Sequence, residues 1–548
     1  MDCRSKINLH KFKIEDSLSL TLVWLGVCLF LLICILSPLV YVLLTPTKAD
    51  FVKVAGTAVW RKTALNTLIE VICSTTAAVA IGYAYAFAVV KGDLPFRRFF
   101  SFVPFLHLVT PPFVGGLAFI LLLGRQGFIT KTLLGLDVSL YGFPGLLIAQ
   151  ALCFFPMAYM ICVQTLENIN PNLEQAARSL GGGHLKIFLK ITLPLSLPGL
   201  ISSALYIAVS VMSDFGNPMI VAGRYKVLAV EIYTQLTGWM NGRISAVLGI
   251  ILIIPSIILF ILQNKFVSKN MEKLAVVGGR SQLTAENKLP LFPRILLTAF
   301  CTFITLCVFL QFAAIIAGAF QKVWGVNFTP TLSHIKTIAR CKKELLNSVR
   351  FALEAAAIST FIASLASYFT FRTKAPLGKY IDAVIQLPAA VPGTLYGLAI
   401  SLLAAKLNFY KSNILIVMAI TIGFIPFSYR AISASYSQIK KSLDDSARAL
   451  GASGLKLLFF ILMPLSKEGL FNSYIYDFMR GVGTMSAVIF LVSFDTPLSS
   501  VKILNLAEEG FWGDSAALAL VLTLITFAVL LIGKSTLKLW GRKNERLF

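Results

Sequence analysis

Long apolar stretches are the feature that most constrains the fold of this 548-residue chain. Several run for about 20 residues, the length at which an α-helix crosses the hydrocarbon core of a bilayer. Only helices and closed barrels satisfy every backbone hydrogen bond in lipid, and unbroken apolar runs indicate helices. Charged residues make up 14% of the chain, against about 25% in a typical soluble domain. We therefore predict an all-α polytopic membrane protein.

Counting stretches of about 20 residues gives about twelve transmembrane helices, six in each half of the chain. They are predicted at residues 18–44, 64–90, 99–123, 142–166, 195–215, 244–264, 295–318, 347–370, 381–404, 412–433, 463–490 and 514–533.

The chain also contains an internal repeat. Residues 174–181 and 444–451 read EQAARSLG and DDSARALG, at an offset of 444 − 174 = 270. A second offset of 281 relates residues 111–118 to 392–399, so the first half carries 281 − 270 = 11 additional residues, near 125–141. Such a match indicates duplication. Because both halves place the same number of spans before the repeated segment, we predict two parallel, homologous six-helix halves.

Each repeated segment has the pattern of a short amphipathic helix with a defined end. Leu173 and Leu180 share one face at the spacing i, i+7. Glu174 precedes Arg178 by four residues, which is the favourable order for an ion pair on a helix. Gly181 follows as a helix-ending residue, since glycine accepts left-handed backbone angles. The second segment has the equivalents Leu443, Asp444, Arg448, Leu450 and Gly451.

The repeated segments, followed by Leu-Pro at 193–194 and Met-Pro at 463–464, resemble the cytoplasmic EAA loop of ABC importer permeases of the type I class. Two such loops in one chain resemble the fused permeases. Among these the chain is most similar to the ferric-iron group, and the thiamine permeases are also similar. The resemblance covers roughly residues 62–540. In the second copy, Asp444 and Ser446 replace the Glu and Ala of the motif, which implies a weaker or differently specific contact.

The resemblance implies a permease subunit of an ATP-binding-cassette importer. It would move a substrate delivered by a periplasmic or surface binding protein into the cytoplasm. Ferric iron is the leading substrate, and thiamine, polyamines, phosphonates and sulfate are the alternatives. The implied partners are ABC ATPase subunits, as a homodimer, which hold ATP and Mg. This chain is expected to bind no cofactor and no metal and to be no enzyme. Its sequence contains no GxxxxGK[ST] phosphate-binding loop.

Two interpretations from other functional classes stay open. An ion-driven secondary transporter also has about twelve spans with repeats, but it needs no docking loops. A membrane-embedded enzyme needs catalytic side chains clustered at membrane depth, and the four histidines lie far apart in the sequence. The nine cysteines show no spacing typical of a zinc site or a disulfide framework.

The resemblance assigns ATPase coupling to both repeated segments. The residues are Glu174, Ala177, Arg178, Gly181, Asp444, Ala447, Arg448 and Gly451. Glu174 and Asp444 are expected to make charged contacts with the ATPase, and the two glycines to set the turn that presents each helix. The two arginines either contact the ATPase or pair within their own helix.

Polar and charged side chains inside spans are costly, which makes them candidates for the translocation pathway. The candidates are Asp214, Asn217, Asp477, Arg480 and Thr484. Alternatively, Asp214 lies at the membrane edge, and Asp477 pairs with Arg480 within the helix bundle. The carboxylates at 70 and 354 lie near span ends and are expected to be interfacial.

Two further features belong to the same predicted path. Pro111-Pro112 and Pro392-Gly393 break the third and ninth spans, and we interpret them as hinges of a gate or as packing kinks. Residues 485–492 look especially like the ferric-iron permeases.

The net charge of +24 is assigned to membrane lipid rather than to nucleic acid, because the basic residues flank spans and face anionic headgroups. Placing both repeated loops and both termini on one side gathers about 30 of the 49 Lys and Arg residues there. By the positive-inside rule that side is cytoplasmic. We therefore expect a multi-pass protein of the bacterial inner membrane with both termini in the cytoplasm.

The expected divisions of the chain follow from the spans and the repeat. They are an N-terminal cytoplasmic segment with the first helix (1–61), a first type-1 permease domain (62–264), a cytoplasmic linker (265–293), a seventh helix with a periplasmic loop (294–342), a second permease domain (343–538) and a cytoplasmic tail (539–548).

Overall fold

The computed structural model describes residues 18–136, 140–277, 289–373 and 375–545, and most of them are helical. Three expected divisions fall partly outside the described residues: the N-terminal segment at 1–17, the linker at 278–288 and the end of the tail at 546–548. The described residues of the expected linker, 265–277 and 289–293, are largely helical. The helix that begins at Gly242 runs on to Val277, and the next helix begins at Leu291.

The first half of the chain contains the following elements. They are α1 (Leu18–Leu44), α2 (Lys48–Gly56), α3 (Ala58–Lys91), α4 (Arg97–Val109), α5 (Pro112–Leu123), a π-helical turn (Phe128–Leu133), α6 (Phe143–Glu167), α7 (Pro171–Ser179), α8 (His184–Met212), α9 (Gly216–Val221), α10 (Leu228–Tyr233) with a π-helical extension (Thr234–Gly238), and α11 (Gly242–Val277).

The second half begins with a helix and a small β-hairpin. Its elements are α12 (Leu291–Phe320), β1 (Gln321–Val323), β2 (Asn327–Pro330), α13 (Ser333–Arg340), α14 (Lys342–Phe371), α15 (Gly378–Ala390), α16 (Gly393–Lys406), α17 (Ser412–Gln438), α18 (Lys441–Ala449), α19 (Gly454–Leu465), α20 (Lys467–Val482), α21 (Ser499–Glu508) and α22 (Trp512–Glu545).

Within the described residues, ten helices are long and apolar enough to cross a membrane, and eleven if the bent pair α15–α16 counts as one span. The chain is therefore an all-α polytopic membrane protein, as predicted. The expected count of twelve differs at residues 463–490, where α20 ends at Val482 and turns follow. The corresponding helix of the first half, α8, ends at Met212. Because 482 − 212 = 270, both halves break at the same point of the repeat.

The chain packs into two compact units, and neither is one continuous stretch of sequence. The repeat-1 unit contains Lys48–Lys342 and Ser499–Leu524, and the repeat-2 unit contains Met1–Thr47, Lys343–Leu498 and Ile525–Phe548. In the repeat-1 unit, α12 packs on α3, α4 and α5, and in the repeat-2 unit, α1 packs on α15 and α16. The helix that precedes each repeat in sequence therefore belongs to the unit of the other repeat.

Small residues let α3 and α6 pack closely in the repeat-1 unit. A Cβ on Gly82 would overlap Ala158, so glycine is required for this approach. Beside this contact, Tyr85 packs edge-on against Tyr159 with ring centres 5.5 Å apart. The Tyr85 hydroxyl also donates a hydrogen bond to the carbonyl oxygen of Phe100 at 2.9 Å. These contacts hold α4 against the α3–α6 pair.

The hairpin and α13 are fixed to the repeat-1 unit by specific polar contacts. The indole N–H of Trp324 donates to the Leu121 carbonyl oxygen at 2.9 Å. His334 Nδ1 lies 2.7 Å from the Asp514 carboxylate, and its Nε2 lies 2.9 Å from the carbonyl oxygen of Gln321. The connection between α12 and α14 is therefore an ordered part of this unit.

Candidate functional site

The two repeated segments fold into short helices of the same geometry. α7 begins at Pro171, and the Asn170 side chain caps it by accepting a hydrogen bond from the Asn172 N–H at 3.0 Å. The chain turns at Gly181, whose φ of +81° lies in the left-handed region that glycine adopts without steric cost. Gly451 has the same φ of +81° after α18. The prediction of a short helix followed by glycine is confirmed in both halves.

The carboxylate of α7 points into the protein. Glu174 is 6% exposed, and Lys91 Nζ lies 3.2 Å from its Oε1. The buried Thr192 hydroxyl donates to the same oxygen at 2.9 Å. Lys91 is the last residue of α3. The ion pair therefore ties α7 to the end of a membrane-spanning helix.

The second half repeats this ion pair with a larger partner. Arg372 Nη1 lies 3.2 Å from Asp444 Oδ2, and the offsets 372 − 91 = 281 and 444 − 174 = 270 make both partners repeat-equivalent. Arg372 Nη2 also donates to the carbonyl oxygens of Tyr436 and Ile439, both at 2.8 Å. Burial raises the pKa of the Asp444 carboxyl, and the Arg372 guanidinium acts in the opposite direction. The guanidinium thus joins the end of α17 to α18.

The outward faces of both helices carry leucine. Leu180 and Leu450 are each 89% exposed and are repeat-equivalent, since 450 − 180 = 270. Leu173 and Leu443 are also exposed. This arrangement differs from the expected one, because the carboxylates are inside and the leucines are outside. The two carboxylates are engaged within the chain, and each segment leaves two leucines exposed to a partner.

The remaining residues of the two segments differ in burial. Ala447 is buried and Ala177 is half-buried. Arg178 Nη2 lies 3.4 Å from Nδ1 of His184, which begins α8. Arg448 is exposed on α18.

A buried polar cluster in the repeat-1 unit contains two of the pathway candidates. Gln150 Nε2 donates to Asp214 Oδ2 at 3.0 Å and to Glu70 Oε1 at 2.8 Å. Asn217 Nδ2 donates to the same Asp214 oxygen at 2.9 Å. None of the four side chains belongs to a residue more than 9% exposed. The structure therefore corrects the expectation for Glu70, which is buried rather than interfacial, and it disfavours the alternative that Asp214 lies at an exposed membrane edge.

The candidates of the repeat-2 unit lie along α20 and just beyond it. Asp477 is 1% exposed and accepts a hydrogen bond from the Ser428 hydroxyl at 2.6 Å. In the part of the chain that the structure describes, no ion pair joins it to Arg480, which is half-buried one turn later. Thr484 follows the end of α20. The Glu354 side chain is 40% exposed, and its Oε1 lies 2.7 Å from Nε of Arg350 on the same helix.

The buried acids of the two units are not equivalent in the repeat. The position of Gln150 is occupied by Ile420 in the second half (420 − 150 = 270), and that of Asp214 by Thr484. Conversely, Asp477 corresponds to Ile207 in the first half. The two units therefore share a backbone pattern but differ in the polar groups that they bury.

The predicted breaks at proline are present in both halves. α4 ends before Pro111, and α5 begins at Pro112. α15 and α16 meet at Pro392 with a bend of 107°, and Gly393 is the first residue of α16. Pro111 and Pro392 have nearly the same backbone angles, with φ of −56° and −55° and ψ of 137° in both. The same proline break therefore occurs once in each half of the chain.

In each unit, the break at proline lies beside the segment that follows α8, which ends at Met212, or α20, which ends at Val482. A Cβ on Gly116 of α5 would overlap Asn217, and a Cβ on Gly397 of α16 would overlap the Ala487 carbonyl. These contacts are repeat-equivalent, because 397 − 116 = 281 and 487 − 217 = 270. The structure therefore brings the predicted hinges next to the segments at 213–221 and 483–492.

The sequence of the chain matches the model of a known family. The profile of the family described as binding-protein-dependent transport system inner membrane component matches residues 78–273 and 359–541. The chain belongs to this family. Because the two matched stretches contain the two repeats, this permease carries the domain of the family twice.

Relatives of the permease include proteins named as permeases of ferric and molybdenum transport systems. It is 32% identical over 448 residues to the ferric transport system permease protein FbpB of Actinobacillus pleuropneumoniae, which is 79% of this chain and 64% of the relative. It is 30% identical over 497 residues to FbpB 1 of Haemophilus influenzae, covering 85% and 78%. The molybdenum transport system permease protein ModB of Escherichia coli is 31% identical over 162 residues, covering 28% and 70%. The chain thus spans less than two thirds of the Actinobacillus relative.

The sequence did not lead to the residues that form ion pairs or hydrogen bonds with the buried carboxylates of the permease. Lys91 and Arg372 could have been found, because the offset of 281 pairs a lysine with an arginine at the ends of equivalent spans. Gln150 had no such signal, because an isoleucine takes its place in the second half.

Proposed function

We propose that this permease is the transmembrane subunit of an ATP-binding-cassette importer that moves ferric iron from a binding protein into the cytoplasm across the bacterial inner membrane. The observation that carries the proposal is the pair of repeat-equivalent helices, α7 and α18, each presenting an exposed leucine face. Ferric iron is favoured because the relative named for it aligns with 79% of this chain, whereas the relative named for molybdenum aligns with 28%.

In this proposal each leucine face inserts into a cleft on a separate ATPase subunit. An amphipathic helix in an apolar groove is a common mode of recognition. The ATPase binds ATP and Mg, and its closure moves the two docked helices. The ion pairs of Glu174 and Asp444 then carry the movement to the ends of α3 and α14, since each acid is held about 3 Å from a basic residue there.

The translocation path runs beside the broken helices, where both units bury polar groups. Buried acids within the membrane are costly and default to a functional role. Pro111 and Pro392 act as hinges, because a broken helix at membrane depth is tolerated where it lines a cavity. Iron arrives on the binding protein, so the permease itself needs no cage of His and Cys ligands.

The test is uptake of radiolabelled ferric iron in a strain that lacks this gene. Complementation with the permease, its ATPase and its binding protein is expected to restore iron uptake, and omission of the ATPase is expected to abolish it. Restoration of molybdate or thiamine uptake instead of iron uptake would refute the substrate and retain the importer. Uptake that persists without any ATPase would contradict ATP-driven import and favour an ion-driven transporter.

A further inference from the structure

A cavity of about 420 Å³ opens in the repeat-1 unit between α3, α4 and α6. Its inner wall is apolar and includes Val89 and Val163, and its rim carries Arg97, Arg98 and Glu167. An apolar interior with a charged rim suits a ligand that is itself amphiphilic. The residues that line it belong neither to the coupling helix α7 nor to the buried polar cluster around Gln150.

The cavity lies at the level where the membrane helices end. Val89 is two residues from the end of α3, Glu167 is the last residue of α6, and Arg97 is the first residue of α4. Charged residues at the ends of apolar spans lie at the depth of the lipid headgroups. Phe105 lines the cavity and is 42% exposed, so its apolar side is open at the surface of the unit.

The repeat-2 unit shows what occupies the equivalent position there. Ser101 of the cavity corresponds to Asp382 (382 − 101 = 281), and Tyr159 corresponds to Tyr429 (429 − 159 = 270). The Tyr429 hydroxyl donates to the Asp382 carboxylate at 2.8 Å, and Gln386 Nε2 donates to the same oxygen at 2.8 Å. The second repeat thus supplies a carboxylate of its own to this tyrosine.

The repeat-1 unit has the tyrosine but not the carboxylate. Ser101 directs its hydroxyl to the Arg98 carbonyl oxygen at 2.9 Å. Within the described ranges, the Tyr159 hydroxyl has no hydrogen-bond partner, and the Tyr159 side chain lines the cavity. The first repeat therefore leaves open the space that an anionic group fills in the second.

The two arginines and one glutamate on the rim give it a net charge of +1, which favours an anionic ligand. Arg97 lies 4.0 Å from Glu167, and each side chain is 55% exposed, so these two charges offset each other. The Arg98 guanidinium has no ion-pair partner in the part of the chain that the structure describes. Lys91, two residues from the cavity wall, is already engaged by Glu174. Arg98 is thus the basic group available to a ligand.

We propose that this cavity binds an anionic phospholipid, with the headgroup phosphate at Arg98 and Tyr159 and the start of an acyl chain along the valine wall. A lipid is the occupant because the site combines a basic rim at headgroup depth with an apolar wall that opens outward. Basic pockets between transmembrane helices recognise anionic headgroups in this way.

The test is native mass spectrometry of the full chain in mild detergent, with phosphatidylglycerol, phosphatidylcholine and inorganic phosphate as probes. We expect one retained phosphatidylglycerol, and about tenfold weaker retention in Arg98→Glu. Lys379→Glu is the matched control, because Lys379 is exposed and repeat-equivalent to Arg98 (379 − 98 = 281). Equal retention of both lipids, or equal losses in both variants, would overturn the site. Retention of inorganic phosphate without lipid would identify a free-anion site instead.

Ser101→Asp provides a second, independent variant. It places in the first repeat the carboxylate that the second repeat already has, beside the same tyrosine. The variant is expected to fold with an unchanged thermal midpoint and to lose phosphatidylglycerol, because the new charge occupies the position of the phosphate. A folded Ser101→Asp protein that retains the lipid as the parent does would refute the proposed position of the headgroup.

Discussion

Lys91 Nζ lies 3.2 Å from Glu174 Oε1, and the repeat places Arg372 Nη1 at the same distance from Asp444 Oδ2. The two pairs differ in burial, because the Arg372 side chain is 2% exposed and the Lys91 side chain is 18% exposed. Both join an exposed helix to the end of a membrane span. We expect a helix anchored in this way to move with the span.

The first prediction concerns the cost of removing each basic partner. Arg372→Met should destabilise the protein by about 3–5 kcal/mol, because it leaves a buried carboxylate unpaired. Lys91→Met should cost less, since Lys91 is more exposed and Thr192 continues to donate to Glu174. The measurement is thermal unfolding of the purified variants in detergent. Equal costs for the two substitutions would contradict the difference in burial.

A charge exchange separates the ion pair from a general packing effect. Lys91→Glu and Glu174→Lys should each abolish uptake, whereas the double variant should regain part of it, because the pair is restored with its sign reversed. Uptake is compared with the amount of ATPase that co-purifies with the permease. A double variant no better than the single ones would show that the attraction between these two charges is not what matters.

The second prediction tests the leucine faces. Leu180→Asp and Leu450→Asp should each reduce co-purification of the ATPase by about tenfold or more, because a leucine buried in a partner groove contributes about 1.5–3 kcal/mol. Both side chains are 89% exposed, so the permease itself should fold normally. Leu134→Asp is the control, since Leu134 is 58% exposed in the connection between α5 and α6. Unchanged co-purification in both leucine variants would refute docking through this face.

The third prediction concerns the turns that end the two helices. Gly181→Ala should cost about 1–2 kcal/mol and lower uptake, because alanine is strained at a φ of +81°. Gly183→Ala should be neutral, since Gly183 has a φ of −68° and a Cβ there meets open space. The comparison is made by uptake and by thermal unfolding. Equal behaviour of the two alanine variants would show that the left-handed turn is dispensable.

The repeat was the strongest predictor of the structure. Offsets of 270 and 281 residues anticipated the Gly-terminated helices and the breaks at Pro111 and Pro392, because both depend on local backbone chemistry that the sequence displays directly. The predicted end of the span at 463–490 was wrong, since α20 ends at Val482 although apolar residues continue. Hydropathy reports burial in an apolar medium and does not report where a helix stops.

The orientation of the charges was beyond sequence reasoning. An acid at 174 on a short polar helix reads as a surface residue, and only the fold brings Lys91 beside it. The same holds for Glu70. Its position near the end of a predicted span indicated the membrane interface, but in the structure it is buried against Gln150. Such contacts join residues about 80 positions apart, and periodicity carries no information at that separation.

The last prediction concerns the shared donor of the buried cluster. Gln150→Leu should destabilise the protein by about 1–3 kcal/mol or more, because Glu70 and Asp214 both lose the amide that they share and are left buried. Gln164→Leu on the same helix should change stability by about 0.5 kcal/mol at most, since Gln164 is exposed. Thermal unfolding in detergent measures both, and uptake shows whether the cluster also serves transport. A Gln150→Leu protein as stable as the parent would mean that the two carboxyl groups satisfy each other without the amide.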